Sequence, residues 1–599
     1  MAKAIKTTKE REKMGLSNTM ISWIYRSLFF LFTLLFLGVY NADQLHFMSV
    51  NSHLIFNEIN LTFILNQTGG LLVLLGRILN QSFVIPIVGA LLFGILLILI
   101  QFMLEKLYNV KGVFLGLTYI LPAILLLYAT SAGYALYATL DGDFAFVALL
   151  GTLISVSLFA LYRYCSKKKW GGEIVGFAVI ALVPFIGVYA VLSAAMIFLE
   201  SIINKQNRWH LYLLTFVLAL LFLLLGGRYI FCESYLTALF SPSIFSYFVI
   251  LRVLFILIWI VLLLTPFVSY FLSKEQKQLT KQTLVLQSLT LIVVMSLVYA
   301  FSYKDENFRT EMKLVRLCDD GKWEEMEQVV AETDSLTKPI NAYRVISLAR
   351  QNKLSDNLFK FKFPLKASDG HYLSEEPIYY EDMFFHASLI NSHYLFNLEM
   401  YMQIKPTNKR LKYMALYALM NGEDLLAERF LRQLKQSIIY HSWAEKHERY
   451  LGKQDLFFKE NPDLAAIVKK QPMSVDLIRI EASLAEQFLM IGKFPIQTLE
   501  YRLLASLYLK QLKRFLGDIK RIKIPRLPVC MQEALIISVL ELGENPAILR
   551  AYQVDRNVAN QVNSFFYDLK TFCTNKTKEQ AMRIMKKYKG TYCYYYMFY

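Results

Sequence analysis

Residues 174–203 read IVGFAVIALVPFIGVYAVLSAAMIFLESII, apolar almost throughout. As one helix at 1.5 Å per residue this run would be about 45 Å long, well beyond the ~30 Å hydrocarbon core of a bilayer. Pro184 lies inside it. A proline removes a backbone donor and crowds the turn before it, so it kinks or ends a helix. Two readings follow: one tilted span, or two short helices that enter and return. The choice decides the side on which every later residue lies.

The neighbouring apolar windows and basic clusters favour the return. Stretches of about 20 mostly apolar residues read as spans. They are Ile21–Tyr40, Phe83–Leu104 (with Pro86 near its start), Val113–Thr130, Phe144–Tyr164, Leu211–Gly227, Tyr247–Phe271 and Thr283–Phe301. Basic residues cluster at Lys3 to Lys13, at Lys106 and Lys111, at Arg163 with Lys167 to Lys169, at Lys205 and Arg208, and at Lys274, Lys277 and Lys281. Lys and Arg concentrate in cytoplasmic loops. With a hairpin at Pro184 all these clusters face the cytoplasm; with a single span two of them face out. The expected chain is all-α. A basic cytoplasmic amino-terminus over 1–20 leads into a multi-span bundle over 21–303 with about nine spans. The half from 304 to 599 lies outside. The long basic region, the apolar run to Val39 and the lack of a clear small-x-small site read as a retained signal anchor rather than a cleaved leader.

Composition agrees. The 599 residues are 55% hydrophobic and only 19% charged, with mean hydropathy +0.38. That excludes a disordered chain, a disulfide scaffold and an ordinary cytosolic enzyme. The net charge of +17 would suit nucleic acid. Here the basic residues of the first half sit between apolar runs, where they orient spans and meet anionic headgroups, so the bilayer is the expected partner and nucleic acid is not. Only 20 of the 64 Lys and Arg, and 11 of the 47 Asp and Glu, fall within residues 1–303. The chain is therefore two compositions joined end to end.

The outer loops carry the polar candidates. Asn51 to Gln81 is too polar to span and too apolar to float. Between Leu71 and Leu79 leucines and an isoleucine wrap most of a helix, fringed by Arg77, Asn80 and Gln81, with Gly69-Gly70 as a break before it. This predicts a helix in the membrane interface near 54–82, or an ordinary elbow. Asp43 directly follows the first span, Glu58 shares its loop, and Asp141 and Asp143 occupy the next outer loop. Arg228, Glu233 and Arg252 bracket another. Ionisable groups at membrane depth are costly and so mark function; at the edge they also snorkel to headgroups without doing chemistry.

After Phe301 amphipathic helices with short loops take over. A signature recurs: an apolar run, then Gly, then a charged or aromatic residue opening a new helix. It appears at Gly321-Lys322-Trp323, Gly422-Glu423-Asp424 and Gly492-Lys493-Phe494, with Asn352 as a degenerate version. Asn352, Gly422 and Gly492 are spaced by 70, two units near the tetratricopeptide period of about 34. The stretch from Asn307 to Gln553 resembles a tetratricopeptide-like α-helical solenoid. That resemblance implies a concave surface for a peptide or partner protein; the alternative is a packing module that caps the membrane half. The aromatic end, Gly590 to Tyr599, reads as docking of the terminus into these helices, with interface anchoring as the other option.

Familiar catalytic patterns are missing. There is no GxxxxGK[ST], GxGxxG, His-Glu-x-x-His or GxSxG motif. No two of the six cysteines lie within four residues of each other, and His386 and His393 have no third ligand. No metal and no cofactor is expected. The membrane half resembles the C-type glycosyltransferases, which use lipid-linked sugars, in topology. These place an acidic residue just after span one and interface helices in the same loop. The resemblance implies a general base at Asp43 or Glu58 and a lipid-phosphate holder at Arg77, Arg228 or Arg252. The usual acidic pair is missing, since Gln44 follows Asp43. Along its whole length the chain resembles an uncharacterised family of multi-span proteins of Bacteroidota-type bacteria, through Thr68 to Gln81, Gly321-Lys322-Trp323 and Tyr594 to Phe598. That likeness implies a bacterial inner membrane and a periplasmic carboxyl-terminal half, and transfers no catalytic residue. The expected function is an integral inner-membrane protein of the envelope whose helical half binds an envelope protein. The alternative is a glycosyltransferase that takes its sugar from a polyprenyl-phosphate lipid.

Overall fold

The computed structural model describes residues 18–110, 114–139, 142–168, 170–242, 249–274, 281–333, 337–360, 378–403, 406–471, 489, 496–521 and 527–599. Among the described residues every regular element is helical. The chain divides into two units. One is Met1–Asp305 with Thr407–Lys409 and Gln433–Ser442; the other is Glu306–Pro406 with Arg410–Arg432 and Trp443–Tyr599. The third Gly signature, around Gly492, and Asp141 lie outside the described residues.

The first unit begins with α1 (Asn18–Leu35), continued by one π turn, Phe36–Tyr40. Then come α2 (Ala42–Val50), α3 (Glu58–Leu65) and α4 (Gly70–Asn80), the last extended by a 3-10 turn, Gln81–Val84. α5 (Pro86–Tyr108) opens on its proline, whose missing donor costs nothing at a first helical position. A 3-10 turn, Leu115–Tyr119, leads into α6 (Ile120–Thr130). The rest are α7 (Ala135–Thr139), α8 (Phe144–Cys165), α9 (Gly171–Ile186), α10 (Val188–Ile203), α11 (Trp209–Tyr229), α12 (Tyr235–Phe240), α13 (Val249–Lys274) and α14 (Lys281–Phe301).

The run at 174–203 is a hairpin. Pro184 sits near the end of α9, and the reversal falls on Gly187, at φ 59° and ψ −135°. Only glycine enters that region readily. The turn is held by its backbone: Val188 N–H donates to the Ser241 carbonyl (2.9 Å), and Gly69 N–H donates to the Pro184 carbonyl (2.9 Å). At the other end Arg208, just past α10, lies 2.7 Å from Glu173 at the start of α9. Arg163, at the end of α8, lies 2.9 Å from Glu200 near the end of α10.

The expected count of nine spans is corrected. Among the described residues six helices are long and apolar enough to cross a membrane: Met20–Tyr40, Pro86–Tyr108, Phe144–Cys165, Trp209–Tyr229, Val249–Leu272 and Thr283–Phe301. Leu115–Thr130 and the two arms of the hairpin, Gly171–Ile186 and Val188–Ile203, are apolar but shorter. A 16-residue helix reaches about 24 Å, less than the hydrocarbon thickness. Hydropathy windows run across Gly187 and so overstate helix length.

The helix ends sort into two sets. Tyr25 Oη lies 2.7 Å from Ser288 Oγ, and the rings of Tyr40 and Tyr299 are 5.6 Å apart, so α1 and α14 run parallel. At the basic ends of the bundle each buried arginine has a carboxylate, including Arg26 with Glu105 at 2.7 Å. Trp23, Trp170 and Trp209 are exposed at those ends and Tyr229, Tyr235 and Tyr299 at the opposite ones, matching two interfacial aromatic belts. Of α3 and α4, α3 carries the most exposed apolar side chains. There Ile59 is 83% and Phe63 75% exposed, whereas α4 buries Leu72, Val73, Gly76, Arg77 and Asn80.

In the second unit the expected breaks are left-handed helix ends. Gly321, Asn352 and Gly422 all have positive φ. Each is followed by the same pair of bonds, for example Gly321 N–H to the Cys318 carbonyl and Lys322 N–H to the Leu317 carbonyl. Ser388, Lys510 and Gln553 repeat the geometry without a glycine signal. Buried Asp382 accepts from Tyr343 Oη (3.0 Å) and Tyr413 Oη (2.6 Å), stapling three helices. The aromatic terminus docks, as expected. Tyr592–Phe598 is a helix whose first amides donate to Glu533 (2.5 Å from Tyr592 N), and Tyr595 Oη donates to the Tyr508 carbonyl (2.6 Å).

Two outcomes are expected. A Cβ at Gly187 would stand 2.4 Å from the Ser241 oxygen, so Gly187→Ala should cost about 2–4 kcal/mol and lower the thermal midpoint in detergent; an unchanged midpoint would refute the hairpin geometry. Burial pushes the Glu533 carboxyl up to about 7, against the pull of the Tyr592 and Cys593 amides. Its folded value lies above the unfolded value near 4.3. Its stabilisation is therefore complete below about pH 4.3 and is lost as pH climbs through 7, up to about 3 kcal/mol. Hydrogen exchange of residues 592–599 should accelerate from pH 5 to pH 8 beyond the intrinsic rate change, and Glu533→Gln should remove that excess.

Candidate functional site

The loop after α1 begins with a fault in the helix. Phe36–Tyr40 is a π turn, closed by Asn41, whose backbone N–H (3.1 Å) and Nδ2 (2.8 Å) both donate to the Phe36 carbonyl. Such turns shift the register of a helix and recur at functional sites. Asp43 follows in the first turn of α2, where the helix dipole favours a negative charge, and is half-buried.

α2 lies along the end of α4 and its 3-10 turn. Asn80 Nδ2 donates to the Met48 carbonyl (3.1 Å) and Ser49 Oγ to the Gln81 carbonyl (3.3 Å). His46 Nδ1 faces the Val84 carbonyl at 3.2 Å. A carbonyl only accepts, so Nδ1 is the donor and a neutral His46 keeps Nε2 as an acceptor. Gly142 makes the close approach possible, since a Cβ there would stand 2.4 Å from Met48.

This brings Asp143, at the start of α8, to Arg77. Arg77 Nε lies 2.8 Å from Asp143 Oδ2, both side chains are nearly buried, and Nη1 donates to the His53 carbonyl (3.3 Å). Of the three arginines proposed for a phosphate, Arg77 is matched by a carboxylate. Arg228 is exposed in the last turn of α11. It adjoins Gly227, which packs against Ala238 and Thr68. Thr68 N–H donates to Glu233 (2.9 Å), and Ser241 Oγ to the Thr68 carbonyl (2.5 Å). Arg252 is half-buried in the first turn of α13 rather than deep in a span. Glu58 is exposed at the first position of α3, turned to the surface.

The structure thus gathers Arg77, Asp143 and the α2–α4 seam at one end of the bundle, with Asp43 in the turn that opens α2. Arg228 stands beside the Thr68 turn and Glu58 apart. Sequence reasoning missed Glu105, Glu173 and Glu200, the partners of the basic-end arginines. Their signal was present, as carboxylates within or at the start of apolar runs. It also missed Gln44 and left Asn80 and Gln81 as fringe. Among the described residues no group of three or more His, Cys, Asp or Glu could hold a metal ion. His386 and His393 sit in aromatic packing, His386 5.0 Å from Trp323 and His393 4.7 Å from Tyr413.

Removing one partner of a buried pair strands the other charge. Asp143→Asn and Arg77→Met are each expected to cost about 3–5 kcal/mol, read as a lower thermal midpoint, and the double apolar variant Arg77→Met/Asp143→Leu should recover much of the loss. If the double variant is as unstable as the sum of the singles, the pair is not a unit.

A family model described as Family of unknown function (DUF6057) matches residues 17–599. No curated protein and no solved structure matches the chain.

Proposed function

The chain belongs to that family of unknown function, and from this premise we propose that it is a multi-pass protein of a bacterial inner membrane whose outer end receives a lipid-linked substrate. The observation that carries the reading is the burial of polar side chains of α2 and α4, with the Arg77–Asp143 pair, at one end of an apolar bundle. Desolvating such groups is costly, and a site for a polar headgroup is what that cost maintains. The orientation is supported by the basic ends: Arg163, Lys167, Lys168, Lys205 and Arg208 lie at the end opposite Gly69, Gly187 and Asp143, so the positive-inside bias puts the seam outside. Because α14 ends beside Tyr40, residues from 304 onward follow on the periplasmic side.

The reaction this arrangement fits is sugar transfer of the C-type kind, from a polyprenyl-phosphate donor. Asp43 is the base, since it stands half-buried in the turn after the first span, whereas Glu58 points away. Arg228 and Arg252 take the lipid phosphate, and Arg77 orders the loop through Asp143. A second reading, a periplasmic helical array that binds an envelope protein, draws on the left-handed breaks at 321, 352, 388 and 422, whose intervals lie close to the ~34-residue tetratricopeptide repeat.

The test is native mass spectrometry of the full chain released from nanodiscs, paired with a transfer assay on polyprenyl-phosphate sugars. A retained polyprenyl phosphate, weakened by Arg228→Ala, and a turnover cut by about 10²–10⁴-fold in Asp43→Asn are expected. A chain that retains no such lipid and transfers no sugar would leave the partner-binding array as the function.

A further inference from the structure

Four uncharged side chains in the α2–α4 seam are more than nine-tenths buried and carry polar atoms with no partner. They are Gln44 (Nε2), Ser52 (Oγ), Asn80 (Oδ1) and Gln81 (Oε1 and Nε2). Half-buried His46 adds Nε2. The segments that carry them are joined by the bonds already given, Asn80 to Met48, Ser49 to Gln81 and His46 to Val84. Gln44 lies one helical turn before Met48, and Ser52 N–H donates to the Ser49 carbonyl. A buried polar atom without a partner costs about 1–3 kcal/mol, so this many in one seam mark a place that something else completes.

The chemistry of the open atoms is selective. The two amide nitrogens donate, while Asn80 Oδ1, Gln81 Oε1 and His46 Nε2 accept; Ser52 Oγ does both. The four buried side chains are uncharged amides and a hydroxyl, Arg77 and Asp143 pair with each other, and Asp43 precedes Gln44 as the base assigned above. A phosphate or carboxylate would satisfy the donors and face the three acceptors with its own lone pairs. An ammonium would do the reverse. A hydroxyl gives one proton and takes two, so closely spaced hydroxyls satisfy both kinds at once. We infer that the α2–α4 seam is the subsite for the sugar unit of the lipid-linked substrate, and that it is built for an uncharged sugar and against acidic or amino sugars. The inference rests on the lipid-linked reading above and narrows it to a substrate class.

Saturation-transfer NMR on the full chain in nanodiscs would test it, with glucose, galactose and N-acetylglucosamine as neutral probes and glucuronate, glucosamine and inorganic phosphate as charged ones. The neutral sugars should bind at least tenfold more tightly than the charged probes. Gln81→Met and Gln44→Met, similar in shape and without the amide, should each weaken neutral-sugar binding at least tenfold while the thermal midpoint stays within a few degrees. If a variant fails to fold, the comparison of probes on the unmodified chain decides alone. Binding led by phosphate or glucuronate would overturn the inference. So would neutral-sugar binding that Gln81→Met leaves untouched, which would mean that the seam holds ordered water. Lipid retention is read on the same samples. Retained polyprenyl phosphate without preference for neutral sugars sinks the subsite and spares the lipid reading; neutral-sugar binding without retained lipid does the opposite.

Discussion

Two backbone hydrogen bonds around Gly187 govern this membrane unit. An apolar layer offers no water to a loose amide or carbonyl, so a chain that reverses within or beside it must find partners inside the protein. Here Val188 is met by Ser241 and Pro184 by Gly69. Those contacts tie the tip of the hairpin to the loop before α4 and to the loop after α12. Because the chain turns back at Gly187, the arginines at 163 and 208 meet Glu200 and Glu173 at one end. The opposite end is left to the folded loop between α1 and α5.

The two ends handle charge differently. At the basic end each pair joins neighbouring helices, and the charges cancel there. Arg26 is also packed against Trp23 and Phe102, with ring distances of 4.9 and 4.8 Å, so its long stem is apolar cover as well as a charge carrier. At the other end the pair Arg77–Asp143 is buried, and the α2–α4 seam holds buried amide and hydroxyl atoms with no partner. The first arrangement closes itself. The second leaves buried polar atoms without partners.

The second unit solves a different problem, packing amphipathic helices against one another. Its breaks depend on the left-handed conformation, which glycine adopts freely and other residues at a cost. Gly321 and Gly422 were legible for that reason, and Asn352 because asparagine tolerates the region. Ser388, Lys510 and Gln553 take the same shape with no compositional trace, since their neighbours hold them there. The aromatic terminus was legible as a docking element from its composition alone. That a buried glutamate, Glu533, receives its first amides was not, because the two lie some sixty residues apart in sequence.

Much of the architecture was present in the order of the residues. Apolar length, basic clusters, Pro184 and the spaced glycines are local properties, and each acts within a few residues of itself. They determined an all-helical chain, a membrane-like first half, a reversal near residue 184 and a repeated helix–turn pattern beyond 301. The number of full-length spans was decided by tertiary structure, because a hydropathy window cannot see where a helix ends. So was the site. Asp43, Glu58, Arg77, Arg228 and Arg252 look alike as isolated ionisable groups, and nothing local says that Arg77 is matched by Asp143 or that Glu58 turns to the surface. Charge pairing and burial are sums over neighbours far apart in the chain, and only the folded packing of α4 against α8, with α2 along the 3-10 turn after α4, brings those neighbours within reach.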